Sequence, residues 1–137
     1  MGKNKLKRFA ENKRFSHVVE PLKEEILQGL SLAGYWNRDI FKNNNPITLE
    51  LGCGKGEYTV AMARAFPDRN FIGVDIKGAR IWRGAKTVEE EKLSNAAFLR
   101  LPIQWIEKAF APQEISEIWI TFPDPQIKYR RSKHRLT

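Results

Sequence analysis

Three glycines at alternate positions, Gly52, Gly54 and Gly56, follow the run Leu49-Glu50-Leu51. Apolar residues lead in from Ile47 and an amphipathic segment leaves from Tyr58, the pattern of a strand, a glycine turn and a helix. Glycines there remove side chains where a ligand must press against backbone, and they allow positive φ. The helix start adds free N–H groups and the positive end of the helix dipole. A dinucleotide site favours G-x-G-x-x-G, whose third glycine would fall at Glu57, so the spacing here is a different one. Glu50 stands inside the strand, two residues before the first glycine. A carboxylate beside the loop suits a cationic or amine-bearing ligand better than a pyrophosphate. A tight strand-to-helix turn in an ordinary α/β protein has the same outline.

Asp75 ends a second apolar run, Gly73-Val74-Asp75-Ile76, 25 positions after Glu50, the length of one βαβ repeat. A strand-end carboxylate can accept both hydroxyls of a ribose, a geometry that serves NAD and S-adenosylmethionine alike. The alternative is an exposed Asp capping the next helix. Farther on, two prolines hold Asp124 in a stiff, non-helical turn, Phe122-Pro123-Asp124-Pro125. Lys128, Arg130, Arg131, Lys133, His134 and Arg135 follow at once. A fixed carboxylate followed by cations suits a site that holds a nucleobase and the phosphates around it. Cys53, between two loop glycines and with no His nearby in sequence, reads as a small loop filler rather than a nucleophile.

The glycine loop with its acid resembles the first motif of class I S-adenosylmethionine-dependent methyltransferases. L-E-L-G-C-G-K-G, G-V-D-I at the right distance, and above all F-P-D-P-Q-I-K followed by basic residues resemble the bacterial-type tRNA (guanine-N7)-methyltransferases, from about Arg14 to the last residue. The resemblance implies methyl transfer from S-adenosylmethionine to N7 of a guanine in tRNA, with no metal. It implies cofactor contacts at Glu50, Gly52, Gly54, Gly56, Asp75, Ile76, Leu101, Pro102 and Asp124. Asp124 is the implied catalytic acid at the methyl donor, Lys128 a substrate contact, and Arg130, Arg131, Lys133, His134 and Arg135 the RNA-contacting run. Two positions depart from the family. Gln126 stands where a tryptophan is usual, and Leu101-Pro102 where many members carry Asp or Asn. The adenine amine then meets a backbone carbonyl, or the register slips by one. Two other readings stay open: a class I methyltransferase acting on another RNA or a protein, and an inactive truncated fragment that keeps S-adenosylmethionine or RNA affinity.

The rest of the chain must position these groups. Its 137 residues, 42% apolar and 29% charged, suffice for one domain with a core and are too few for two. No run of about 18 apolar residues exists to span a membrane, and Met1–Arg8 lacks the apolar stretch of a signal peptide. One cysteine forms no internal disulfide and no cysteine metal cluster. These features point to the cytoplasm. The net charge is +8. Residues 1–14 carry Lys3, Lys5, Lys7, Arg8, Lys13 and Arg14 against Glu11, and residues 126–137 carry no acid. Two such clusters suggest a polyanionic partner, most simply nucleic acid; a solvated basic tail is the alternative for residues 1–14.

The expected order is a mobile basic arm over 1–14, then a helical preface and loop over 15–46 with a helix starting near residue 20. A partial methyltransferase domain follows over 47–137. Strands are expected at Ile47–Leu51, Asn70–Asp75, Ala96–Leu99 and Ile115–Phe122, and helices at Glu57–Phe66, Ala79–Leu93 and Ile103–Phe110. Alternating strands and helices imply βαβ units, hence a Rossmann-like α/β core with a parallel sheet. Only four strands are expected, against seven in a complete core of the resembled class. The chain therefore reads as a fragment, inactive alone and prone to self-association through an uncovered sheet edge. Trp105 and Trp119 fit core positions and His17 a structural one, while Trp36 and Trp82 are not placed by pattern.

Overall fold

The computed structural model describes residues 2–120, with side chains from Asn4 onward. Their order is α1 (Gly2–Arg14), β1 (Val18–Val19), α2 (Lys23–Gln28), a π-helical turn (Asn37–Phe41), β2 (Ile47–Leu51), α3 (Glu57–Ala65), β3 (Asn70–Asp75), α4 (Gly78–Glu91), β4 (Ala96–Arg100), a 3-10 segment (Ile103–Lys108) and β5 (Glu117–Ile120). One sheet runs in the order β1-β4-β3-β2-β5 with every pair parallel. Helices α3 and α4 carry the chain from β2 to β3 to β4, the crossovers that parallel neighbours require.

The side-chain alternation of the strands builds two apolar layers. Ile47, Leu49 and Leu51 of β2, Ile72 and Val74 of β3, and Ala97 and Leu99 of β4 share one layer with Trp36, Phe41, Ile26 and Leu30. Phe71, Ala96 and Phe98 face the other way, onto Val60 and Ala63 of α3 and Ile81, Ala85 and Val88 of α4. β2 and β3 are buried on both faces, which is why their sequences read as nearly continuous apolar runs. Trp36, fully buried, anchors the first layer and donates its Nε1–H to the carbonyl of Ala109 at 2.9 Å.

The strands and helices from Ile47 to Arg100 stand where the sequence places them, within a residue or two. The preface differs. Among the described residues the sheet has five strands rather than four, because Val18 and Val19 pair with Phe98 and Leu99 of β4. A two-residue strand has no periodicity to detect; it exists through its partner. Gly2–Arg14 form a helix rather than a mobile arm. Asn12 is fully buried and donates its Nδ2–H to the carbonyl of Gly78 at 2.9 Å. Glu11 accepts from Lys86 Nζ at 3.1 Å and from Trp82 Nε1 at 3.3 Å. The helix expected near residue 20 begins at Lys23 and is only six residues long. The third expected helix is 3-10, with non-helical backbone at Trp105. Among the described residues no helix is long and apolar enough to cross a membrane.

Candidate functional site

The carboxyl ends of β2, β3 and β4 meet at one edge of the sheet, the edge where open α/β sheets bind ligands. The glycine loop leaves β2 there. Gly52, Gly54 and Gly56 have φ of 75°, 56° and 74°, a region that a side chain disfavours. The N–H groups of Gly52 and Cys53 both reach the carbonyl of Val74, at 2.8 and 2.9 Å, and pin the loop to β3.

Asp75 closes the arrangement. Its Oδ2 accepts from the N–H of Gly54 at 2.8 Å and its Oδ1 from the N–H of Lys77 at 3.0 Å, just ahead of α4. The residue is 8% exposed. Each of its carboxylate oxygens keeps a further lone pair, so the side chain that holds the loop and the turn ahead of α4 can also accept from a ligand hydroxyl. Asp75 is thus not the exposed helix cap of the alternative reading.

The three glycines divide the work. A Cβ at Gly54 would meet nothing within 4 Å, so this residue opens toward solvent and leaves backbone accessible. A Cβ at Gly56 would lie 2.7 Å from the Phe98 ring and 3.2 Å from Gly84 Cα. Gly56, expected at the ligand, serves to let α3 start against α4. Gly84 is a further member of this contact that the motif does not include. Its own Cβ would fall 2.7 Å from Phe98 and 2.9 Å from the Lys55 carbonyl; a glycine inside an otherwise helical pattern is the signal for it.

Glu50 is 5% exposed and accepts from the hydroxyl of Thr59 at 2.5 Å. Gly73, its register partner on β3, makes the room: a Cβ there would stand 2.8 Å from Thr59 Oγ1 and 3.0 Å from Cys53 Sγ. Thr59, one turn into α3, is thus part of the site, and no motif in the sequence marks it. Burial, with the charges of Glu50 and Asp75 nearby, pushes the Cys53 thiol well above its ordinary pKa. A thiol held protonated is a filler, not a nucleophile.

At the far side, Ile76 is 54% exposed and offers an apolar surface next to Asp75. Leu101 does not contribute its side chain, which lies wholly in the core; its N–H is taken by the Asp75 carbonyl at 3.0 Å. Only backbone is left at Leu101, beside a half-buried Pro102. β5 runs beside β2 with Ile120 opposite Leu51, one residue before Gly52. Trp119, expected in the core, is 38% exposed and tilts against Tyr58 at 5.5 Å. Asp124, Lys128, Arg130, Arg131, Lys133, His134 and Arg135 lie outside the described residues.

A family model described as "Putative methyltransferase" (Methyltransf_4) matches residues 44–137. The chain belongs to this family. Among curated proteins it is 63% identical over 137 residues to a tRNA (guanine-N(7)-)-methyltransferase of Christiangramia forsetii, covering 99% of this chain and 61% of that protein. It is 51% identical to the enzyme of the same name from Bacteroides fragilis, over 100% of this chain and 54% of that one. The chain thus spans between half and two thirds of the length of these relatives. The fold is the Rossmann-like fold of class I methyltransferases. It matches the 30S ribosomal A1408 methyltransferase from an uncultured bacterium at a TM-score of 0.54 and 18% identity, over 63% of this chain and 42% of that one. It matches an antibiotic-related methyltransferase at 0.55 and 19%, over 88% and 57%.

The described residues fit the cofactor of that fold class. The family's glycine turn leaves bare backbone at Gly54, a buried carboxylate at Glu50 suits an amine, and Asp75 beside exposed Ile76 suits a ribose joined to a base.

Proposed function

We propose that this chain carries the cofactor-binding half of a tRNA (guanine-N7)-methyltransferase that works in the cytoplasm. The observation that carries the reading is the convergence of Glu50, Gly54, Asp75 and Ile76 at one sheet edge, with F-P-D-P-Q-I-K following the next strand of that sheet. The names of the relatives support the substrate.

S-adenosylmethionine supplies a methyl group on a sulfonium, and transfer to the in-plane lone pair of guanine N7 leaves a neutral thioether and a cationic purine. N7 bears no proton, so no general base is needed. The chain's residues must position the pair in line, exclude water and stabilise positive charge as it appears on the purine. Asp75 and Glu50 orient the donor through hydroxyls and amine. Asp124, with a proline on either side in the sequence, is assigned the negative charge that stabilises the developing guaninium; a preorganised charge of this kind contributes roughly 2–4 kcal/mol. Lys128 and the run Arg130–Arg135 hold the RNA, chiefly by its phosphates.

The test is methyl transfer by the full-length gene product to bulk unmodified tRNA, with the product nucleoside identified after digestion. 7-Methylguanosine is expected. Methylation of another atom, or of protein alone, overturns the reading.

A further inference from the structure

Three clefts with shared walls form a seam along α4, the first against α1, the second between α1 and the glycine loop, and the third against α3. The first, about 780 Å³, lies between α1 and the start of α4 and reaches Ile76 at the cofactor edge. It shares Arg8 and Arg80 with a second of about 550 Å³, which shares Lys55 and Arg83 with a third of about 320 Å³. We infer that this seam is a track for the phosphate backbone of an RNA, held by Lys5, Arg8, Lys55, Lys77, Arg80 and Arg83. The inference rests on the reading above that the substrate is a tRNA.

Charge is the first support. Among the described residues none of these six cations has a carboxylate at ion-pair distance. The other two arginines of the walls are paired, Arg64 with Glu91 and Arg100 with Glu20 at 3.7 Å. Among the described residues Glu57 is the only acid lining the clefts. Cations in a row without carboxylate partners are what a polyanion needs, since each phosphate contact releases counterions.

Arrangement is the second. Arg80 and Arg83 stand three residues apart on α4, which keeps them on one face about 4.5 Å apart along the axis, and Lys77 stands just ahead of the helix. The Arg8 guanidinium lies 4.6 Å from the Trp82 ring centroid and that of Arg83 5.4 Å. Trp82 is itself held by Glu11, and Arg83 donates to the Thr87 hydroxyl at 3.0 Å. Stacked guanidiniums lose less freedom when they bind. A membrane surface would meet a flat face, whereas these cations line clefts. The track ends at Ile76, so a strand lying in it arrives at the edge where the methyl donor is proposed to sit.

The experiment measures anisotropy of labelled unmodified tRNA with the full-length protein over a range of salt. Arg80→Gln/Arg83→Gln is expected to weaken binding at least fivefold near about 0.1 M salt and to lower the salt slope by roughly 1.4–1.8, from 0.7–0.9 per phosphate contact. S-adenosylmethionine affinity and the melting curve should hold, and a control pair outside the clefts, Lys23→Gln/Arg69→Gln, should stay within about twofold. Lys5→Gln/Lys55→Gln is expected to act like the first pair, so a folding defect in one pair does not decide the matter. Variant and control pairs indistinguishable in affinity and slope overturn the track. So does tighter binding to phosphatidylserine vesicles than to tRNA. A protein that binds tRNA through these residues yet forms no 7-methylguanosine overturns the functional reading and supports the track.

Discussion

The backbone N–H of Gly54 donates to Oδ2 of Asp75 at 2.8 Å, across 21 positions of chain. This bond joins the turn after β2 to the end of β3, and Asp75 extends it to the start of α4 through the N–H of Lys77. One carboxylate thus shapes both the loop and the turn into α4. Asp75→Ala is expected to weaken S-adenosylmethionine binding at least tenfold, about 1.4 kcal/mol, with secondary structure retained. Calorimetry checks it; unchanged affinity removes Asp75 from the cofactor site.

Gly54 and Gly56 share the left-handed backbone region but not their surroundings. Gly54→Ala should cost about 1–2 kcal/mol for conformation alone. Gly56→Ala should cost a further ~1–3 kcal/mol, because its Cβ meets the Phe98 ring and Gly84. Urea midpoints of the two variants read the difference. Equal midpoints would mean that Gly56 is not a packing residue.

Trp36→Ala should destabilise the protein by about 3–5 kcal/mol, as large aromatic truncations in a core do. Trp36→Phe should lose less, chiefly the cost of leaving the Ala109 carbonyl without its donor, about 1–3 kcal/mol. Chemical denaturation ranks the two. A Phe variant as unstable as the Ala variant would place the whole effect in the hydrogen bond.

His17 predicts a pH dependence. Burial lowers its pKa, against a hydrogen bond to the Ala85 carbonyl at 3.0 Å and the charge of Glu89, which raise it. The unfolded imidazole, with a pKa of about 6.5, therefore binds its proton before the folded one does. Its contribution is complete above that value and is lost as pH falls from there through the depressed folded value. His17→Gln should flatten the decline of stability over this window. Parallel stability–pH curves for the two proteins would exclude His17 as its source.

Asp124→Asn should leave cofactor and tRNA affinity within about a few-fold and lower kcat strongly, because a charge felt mainly in the transition state acts on kcat. If the variant instead loses cofactor binding while its residual complex still turns over, Asp124 is a donor-site ligand.

The features written in the sequence alone are local ones. The run Ile47–Leu51, the three alternate glycines and Asn70–Asp75 declare a strand, a turn and a second strand. Apolar content, positive φ and strand-end polarity are properties of neighbouring residues, so Glu50 and Asp75 are legible as edge carboxylates from the residue order itself. Tertiary structure decided what depends on partners far along the chain. Val18 and Val19 become a strand only because β4 offers an open edge. The basic segment Gly2–Arg14 becomes a helix against α4 because Asn12 finds the Gly78 carbonyl and Glu11 finds Lys86. Gly56 and Gly54 look alike in sequence, and only the approach of Phe98 and Gly84 separates packing from exposure. Leu101 follows the same rule: β4 continues its inward alternation through that position, so the side chain goes to the core and backbone alone is left for a ligand.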